Sequence, residues 1–149
     1  MWKLQSVYKG TKAKSATSCG DAFVTNIDRS ARNANMMGVG DVLWLIDHGA
    51  AMYFHHGASD WSEAAARPFP AIRQHVLLPL ATELPAAQAK LAATFTRALF
   101  ERVVALVPDA WLGDDPAARR AAYLDYLERR TQALPQLVEE AARVRAELV

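Results

Sequence analysis

Three side chains in the first third of the chain carry the oxygen donors of a reaction centre: Asp28, Asn33 and Asp47. Magnesium prefers carboxylate, carbonyl and water ligands, and a carboxylate not spent on the ion is left to orient an attacking hydroxyl. That is the set of groups that phosphoryl transfer needs. Between Asn33 and Asp47 the chain reads as a β-hairpin: residues 35–37, then Gly38-Val39-Gly40-Asp41 as a glycine-containing turn, then the apolar run 42–46. Residue 40 is the midpoint, and at roughly 3.3 Å per residue the two arms match in length. Asn33 and Asp47 are therefore expected side by side at the open end of the hairpin, within reach of one small ion. Asp28 lies five residues before Asn33, on a loop able to curl back to the same place.

Each of these residues also has a plainer use. Asp28 can stabilise a turn or cap a helix through its own backbone, and Asn33, like Asn26 and Asn35, can serve as a turn residue that tolerates a left-handed backbone. Asp47 follows an apolar run, and a carboxylate at the mouth of a buried strand wants a partner. Arg29 and Arg32 either touch phosphate or are solvated. His48, His55 and His56 cluster near Asp47, but their spacing matches no helix-borne or finger-type zinc pattern. His48 is expected to pack at the edge of the site, with His55 and His56 in a loop. Trp44 and Trp61 read as packing residues, since no basic groove accompanies them.

The wording around these positions is more specific than the spacing. A protein kinase places its catalytic Asp five residues before a metal-binding Asn, and a second metal-binding Asp follows on the next hairpin, before Gly. Here the series is Asp28-Arg29-Ser30-Ala31-Arg32-Asn33, then Asp47-His48-Gly49, an Asp-Phe-Gly-type element with His in the middle. The strings Phe23-Val24-Thr25-Asn26-Ile27-Asp28-Arg29 and Leu43-Trp44-Leu45-Ile46-Asp47-His48-Gly49-Ala50-Ala51, followed by Tyr53-Phe54-His55-His56, resemble the HipA-like kinases, bacterial relatives of the toxin HipA. The resemblance covers about residues 21–62 and continues more loosely beyond. It implies a serine/threonine-kinase-like fold, with Asp28 as catalytic base, Asn33 and Asp47 as Mg2+ ligands, and ATP and a hydroxyl-bearing acceptor, a protein or a small molecule, as substrates. Such a centre also needs a loop over the phosphates and a strand lysine. No strand pattern frames Lys9-Gly10 or Lys12, so a truncated kinase is expected, in which a partner or a missing lobe covers the hairpin side. The competing expectation is a non-catalytic helical binding module or kinase remnant acting through that surface.

Positioning these groups falls to a chain of 149 residues, 52% hydrophobic and 22% charged, with a formal net charge of +1. This is the profile of one globular domain with a sizeable core. Near-neutral charge offers no long-range attraction to nucleic acid or anionic membrane. No apolar run reaches the roughly 18 residues of a membrane span, and there is no signal-peptide core, so a cytoplasmic protein is expected. Cys19, the single cysteine, cannot form an internal disulfide and is read as an inert thiol. Four of the five lysines fall in the first 14 residues and all twelve arginines come later. Residues 1–20 therefore read as a flexible or atypical leader, in which Trp2, Leu4, Val7 and Tyr8 can dock locally, and residues 21–149 as the kinase-lobe domain.

The expected fold is α+β and mostly helical: a kinase-like large lobe with the hairpin at its active-site edge and a C-terminal helical bundle. Residues 22–27 are compatible with a strand or with the end of a buried helix. Downstream of Ser59, a plausible cap, four or five helices are expected, over 86–107, 117–131 and 136–148 among others. Asp115 would cap, and Pro85, Pro116 and Pro135 would occupy first turns.

Overall fold

A computed structural model describes residues 10–40, 42–56 and 61–149. Residues 1–9, Asp41, Ser59 and the side chains of His55 and His56 lie outside that set, and with them the expected docking of Trp2 to Tyr8, the Ser59 cap and the His55-His56 pair. The architecture is α+β and mostly helical. Helix α1 (Thr11–Phe23) leads into a loop and the hairpin β1 (Met36–Val39) and β2 (Val42–Leu45), and four helices follow: α2 (Trp61–Ala66), α3 (Leu84–Thr94), α4 (Arg97–Val104) and α5 (Pro116–Leu148). Short 3-10 turns join them at Tyr53–His56, Pro70–Gln74, Leu78–Leu80 and Asp109–Trp111. No described helix is long and apolar enough to cross a membrane.

Within the leader expected over residues 1–20, the described part from Thr11 onward is helical, in α1, which runs without a break through residue 20. Its inward residues are Ala13, Ser15, Thr17, Ser18, Cys19 and Ala22. Small side chains let the helix lie close to α3 and α5, against which it packs. Polar ones are satisfied locally: Ser18 Oγ donates to the Lys14 carbonyl at 2.9 Å, and Ser15 Oγ accepts from the Glu83 N–H at 2.9 Å, just before α3. Burial of the kind that large apolar residues announce by periodicity is here carried by residues that read as polar or neutral. Residues 22–27 resolve as the end of this helix and a turn, with Thr25 left-handed at φ 52°.

Two further boundaries move. The expected helix over 86–107 is two helices, broken at Phe95 and Thr96, where the Thr96 side chain caps α4 by accepting from the Leu99 N–H. The break turns Phe95 onto Phe23 and Phe100, with ring centroids 4.3 and 5.9 Å away. Conversely, the helices expected over 117–131 and 136–148 are one, α5, which passes through Pro135 instead of restarting there. Asp115 does cap it, accepting from the Ala118 N–H at 2.9 Å, and Pro85 and Pro116 take first-turn positions. The loss of one hydrogen bond at Pro135 is offset by the burial of Leu134, Leu137, Val138, Ala141 and Val144 on the same helix.

Arg130 locks the layers together. It is fully buried, and its guanidinium donates to four main-chain carbonyls: Phe23 at 3.0 Å and Ala22 at 2.7 Å at the end of α1, Ala65 at 3.1 Å and Arg67 at 2.6 Å at the end of α2. Burial pushes its pKa down, and helix C-termini supply the partial negative charge that makes a buried cation tolerable there. Beside it an aromatic cluster forms, with Phe54 stacked on Tyr126 at 4.0 Å and edge-on to Trp61 at 5.0 Å.

Candidate functional site

The hairpin register pairs Met36 with Leu45, Met37 with Trp44, Gly38 with Leu43 and Val39 with Val42. Gly38 and Val39 thus belong to β1 instead of the turn, and Gly40, left-handed at φ 57°, follows them. The centre falls between residues 40 and 41, half a residue later than equal arms about residue 40 would put it. Extended outward, this register sets Asn35 against Ile46, whose N–H donates to the Asn35 carbonyl at 2.9 Å. One step further it sets Asp47 against Ala34, and Asn33 against His48. Both predicted ligands are at the open end of the hairpin, offset by one residue.

Asp28 and Asn33 are brought into contact. Asn33 Nδ2 donates to Asp28 Oδ2 at 2.8 Å, and Asn35 Nδ2 donates to the same oxygen at 3.2 Å and to the Asp28 carbonyl at 2.9 Å. Because the Asn33 amide nitrogen faces the carboxylate, its oxygen Oδ1 is the atom left for a cation. Asp47 is exposed and left-handed at φ 48°, with Oδ1 accepting from the Gly49 N–H at 3.4 Å. It makes no hydrogen bond to Asp28 or Asn33. His48, expected to pack at the edge, is exposed.

Among the described residues, no group of three or more His, Cys, Asp or Glu side chains is placed to hold a metal. The oxygens present, one amide oxygen and one exposed carboxylate, are of the type that magnesium takes as ligands. That ion keeps several waters and takes only one or two protein carboxylates when phosphates complete its shell.

Beneath the loop lies a buried polar network that reading the spacing missed. Arg29, expected to touch phosphate or to be solvated, does neither: it is 1% exposed, and all three nitrogens of its guanidinium are hydrogen-bonded within the protein. Nε and Nη2 meet the two oxygens of Asp21 at 2.5 and 3.4 Å, while Nη1 donates to the carbonyls of Ala34 at 3.3 Å and Asn35 at 2.6 Å. Asp21 also accepts from Asn26 Nδ2 at 3.1 Å and faces His75 Nε2 at 3.0 Å. The Leu77 N–H donates to His75 Nδ1, which assigns the proton to Nε2 and makes His75 a donor to Asp21. Burial by itself pushes the Asp21 carboxyl up, but the hydrogen bonds from His75 and Arg29 and the charge of Arg29 outweigh it and hold it below the ordinary carboxylate range. Ser30 pairs with His75 as an isolated bridge, and the Val76 N–H donates to the Arg29 carbonyl. Arg32, by contrast, is exposed.

Backbone strain concentrates in the same stretch. The non-glycine residues with positive φ among those described are Thr25, Asn35, Asp47 and Met52, all within residues 25–52. Asn and Asp tolerate this region, whereas a β-branched Thr does so at a cost of about 1–3 kcal/mol. The Met52 N–H donates to the Val24 carbonyl, so two strained turns brace one another. Cys19 is buried, and burial pushes its thiol up to about 12, which leaves it unreactive.

Comparison with protein-family models, with curated proteins and with solved structures found no match to this chain.

Proposed function

We propose that the chain carries the base and metal half of a HipA-like kinase centre, which transfers the γ-phosphoryl group of ATP to a hydroxyl. The observation that carries this reading is the 2.8 Å hydrogen bond between Asn33 and Asp28, five residues apart on a loop that feeds a hairpin ending at Asp47-His48-Gly49. The element order supports it as well: helix, loop, hairpin, Asp-His-Gly, then helices is the order of a kinase large lobe.

In this reading Asp28 orients the acceptor hydroxyl and takes its proton. The acceptor oxygen forms a bond to the γ-phosphorus, the bond from that phosphorus to the bridging oxygen breaks, and ADP leaves with the electron pair. Asn33 Oδ1 and the Asp47 carboxylate would hold Mg2+, which when bound neutralises charge developing on the phosphate oxygens. Asn33 and Asn35 keep the Asp28 carboxylate turned by donating to one of its oxygens, so the other is available to the acceptor. The loop over the phosphates and the strand lysine would come from outside the described residues, among which no strand precedes residue 36.

The test is ADP formation and acceptor phosphorylation with magnesium and ATP. Where the parent turns over, Asp28→Asn is expected to lose about 10²–10⁴-fold and Asp47→Ala to lose magnesium dependence. Turnover by Asp28→Asn at the parental rate would overturn the assignment.

One observation favours a second reading, a non-catalytic binding module. Met37 and Val39 on β1 are 49% and 60% exposed, and in a two-stranded sheet each strand leaves an unpaired edge. Partner binding that survives both substitutions, in a parent without turnover, would support this alternative.

A further inference from the structure

We infer that Asp21 is the positioning residue of the centre, setting both Asp28 and Asn33 from below through two separate arms. Resting on the phosphoryl-transfer reading for its purpose, the inference concerns residues which that reading leaves unused. In the first arm, Asp21 Oδ1 accepts from Asn26 Nδ2 at 3.1 Å, and Asn26 Oδ1 accepts from the Asp28 N–H at 3.2 Å. The amide of Asn26 is thus a bridge with one end on the carboxylate and the other on the backbone of the proposed base. Asn26 is 2% exposed, and its N–H also donates to the Asp21 carbonyl at 2.9 Å, so the bridge is fixed at both main chain and side chain.

In the second arm, Asp21 holds Arg29, whose other guanidinium nitrogen gathers the carbonyls of Ala34 and Asn35. Those carbonyls immediately follow Asn33. Arg29 therefore closes the loop 28–35 across its base and fixes where the loop returns to the hairpin. His75 completes the clamp on Asp21 from the far side, and the Val76 N–H holds the Arg29 carbonyl. Asp21 sits on α1, which is packed against α3 and α5, so the rigid bundle sets the geometry of an otherwise irregular loop. A lone buried ion pair would need none of this branching.

The test uses Asn26→Ala in the full chain. It cuts the first arm and leaves the Asp21 to Arg29 pair intact. The direct readout is NMR: the hydrogen-exchange rate of the Asp28 backbone amide, and the side-chain amide resonances of Asn33 and Asn35. In the parent, the Asp28 amide is expected to exchange slowly and the two side-chain amides to be dispersed. In Asn26→Ala, with helical resonances unchanged, the Asp28 amide should exchange at least tenfold faster and the Asn33 signal should move toward that of free asparagine. Arg29→Lys, which keeps the charge but loses the fork, should move the Asn33 and Asn35 signals while sparing the Asp28 amide. Where the parent turns over, Asn26→Ala should lower kcat roughly a hundredfold with KM for ATP within twofold, as misplacement by about 1 Å does.

Unchanged NMR signals in a folded Asn26→Ala would overturn the inference, whatever the activity. If the variant does not fold, the parent decides, because a rapidly exchanging Asp28 amide there contradicts the positioning role. A parent that binds no magnesium nucleotide but whose NMR follows the expected pattern would refute the kinase reading and leave the clamp standing.

Discussion

At the residue scale, the placement of Asn33 and Asp47 at the open end of the hairpin, with Asp28 beside Asn33, could be read from residue type and spacing. What escaped was the support beneath them. Asp21 is a helix residue 54 positions from His75, and Arg29 next to an expected base looks like a free cation until its burial is known. No local pattern announces a contact of that separation. The burial of Asp21 gives a pH prediction with a definite sign. Its carboxyl is held lower in the folded state than the roughly 3.9 of an unfolded Asp, so between those two values the unfolded chain binds more protons and stability rises with pH. The contribution is complete above about pH 5 and is lost as pH falls through the folded value. Urea unfolding from pH 6 to pH 2.5 should show a steep acid limb in the parent, and a flatter one from a lower plateau in Asp21→Asn. Parallel limbs would contradict the buried-carboxylate account.

Elements were legible where turn chemistry or capping marked them. The hairpin followed from glycine flanked by apolar runs and the start of α5 from Asp115-Pro116, whereas α1 and the break at Thr96 did not show. Helix α1 hides its buried face in Ala, Ser, Thr and Cys, and the break depends on Phe95 reaching Phe23, a tertiary contact. Two substitutions probe what holds the elements together. Arg130→Met strips four helix-end carbonyls of their donor, and unsatisfied buried acceptors each cost about 1–3 kcal/mol, so a loss of about 3 kcal/mol or more in denaturant unfolding is expected. Arg130→Lys should recover only part, since an ammonium cannot span two helix ends. Pro135→Ala restores a missing hydrogen bond inside a continuous helix at an exposed position and should raise stability by about 1–3 kcal/mol. A neutral or destabilising Pro135→Ala would contradict this account of Pro135.

Over the whole molecule, the helical remainder serves as a platform. Helix α1 ends under the loop 26–35, Arg130 ties that end to α2 and α5, and the hairpin projects Asn33 and Asp47 at its open end. A single carboxylate on the platform reaches both proposed reaction groups. The fold class could be read from composition and pattern, because apolar residues recur at spacings of three and four in the C-terminal half. The register of the two ligands could not, since a hairpin centred half a residue later shifts which side chains face each other. The central claim is that residues 28–47 bind a magnesium nucleotide, and thermal unfolding tests it most directly. A ligand that binds only the folded state stabilises it by about 2.7 kcal/mol at a hundred times its Kd. The melting temperature of the parent should rise with millimolar ATP when magnesium is present and not when it is chelated, and Asp47→Ala should abolish the rise. An absent shift, or the same shift in parent and Asp47→Ala, would contradict the account.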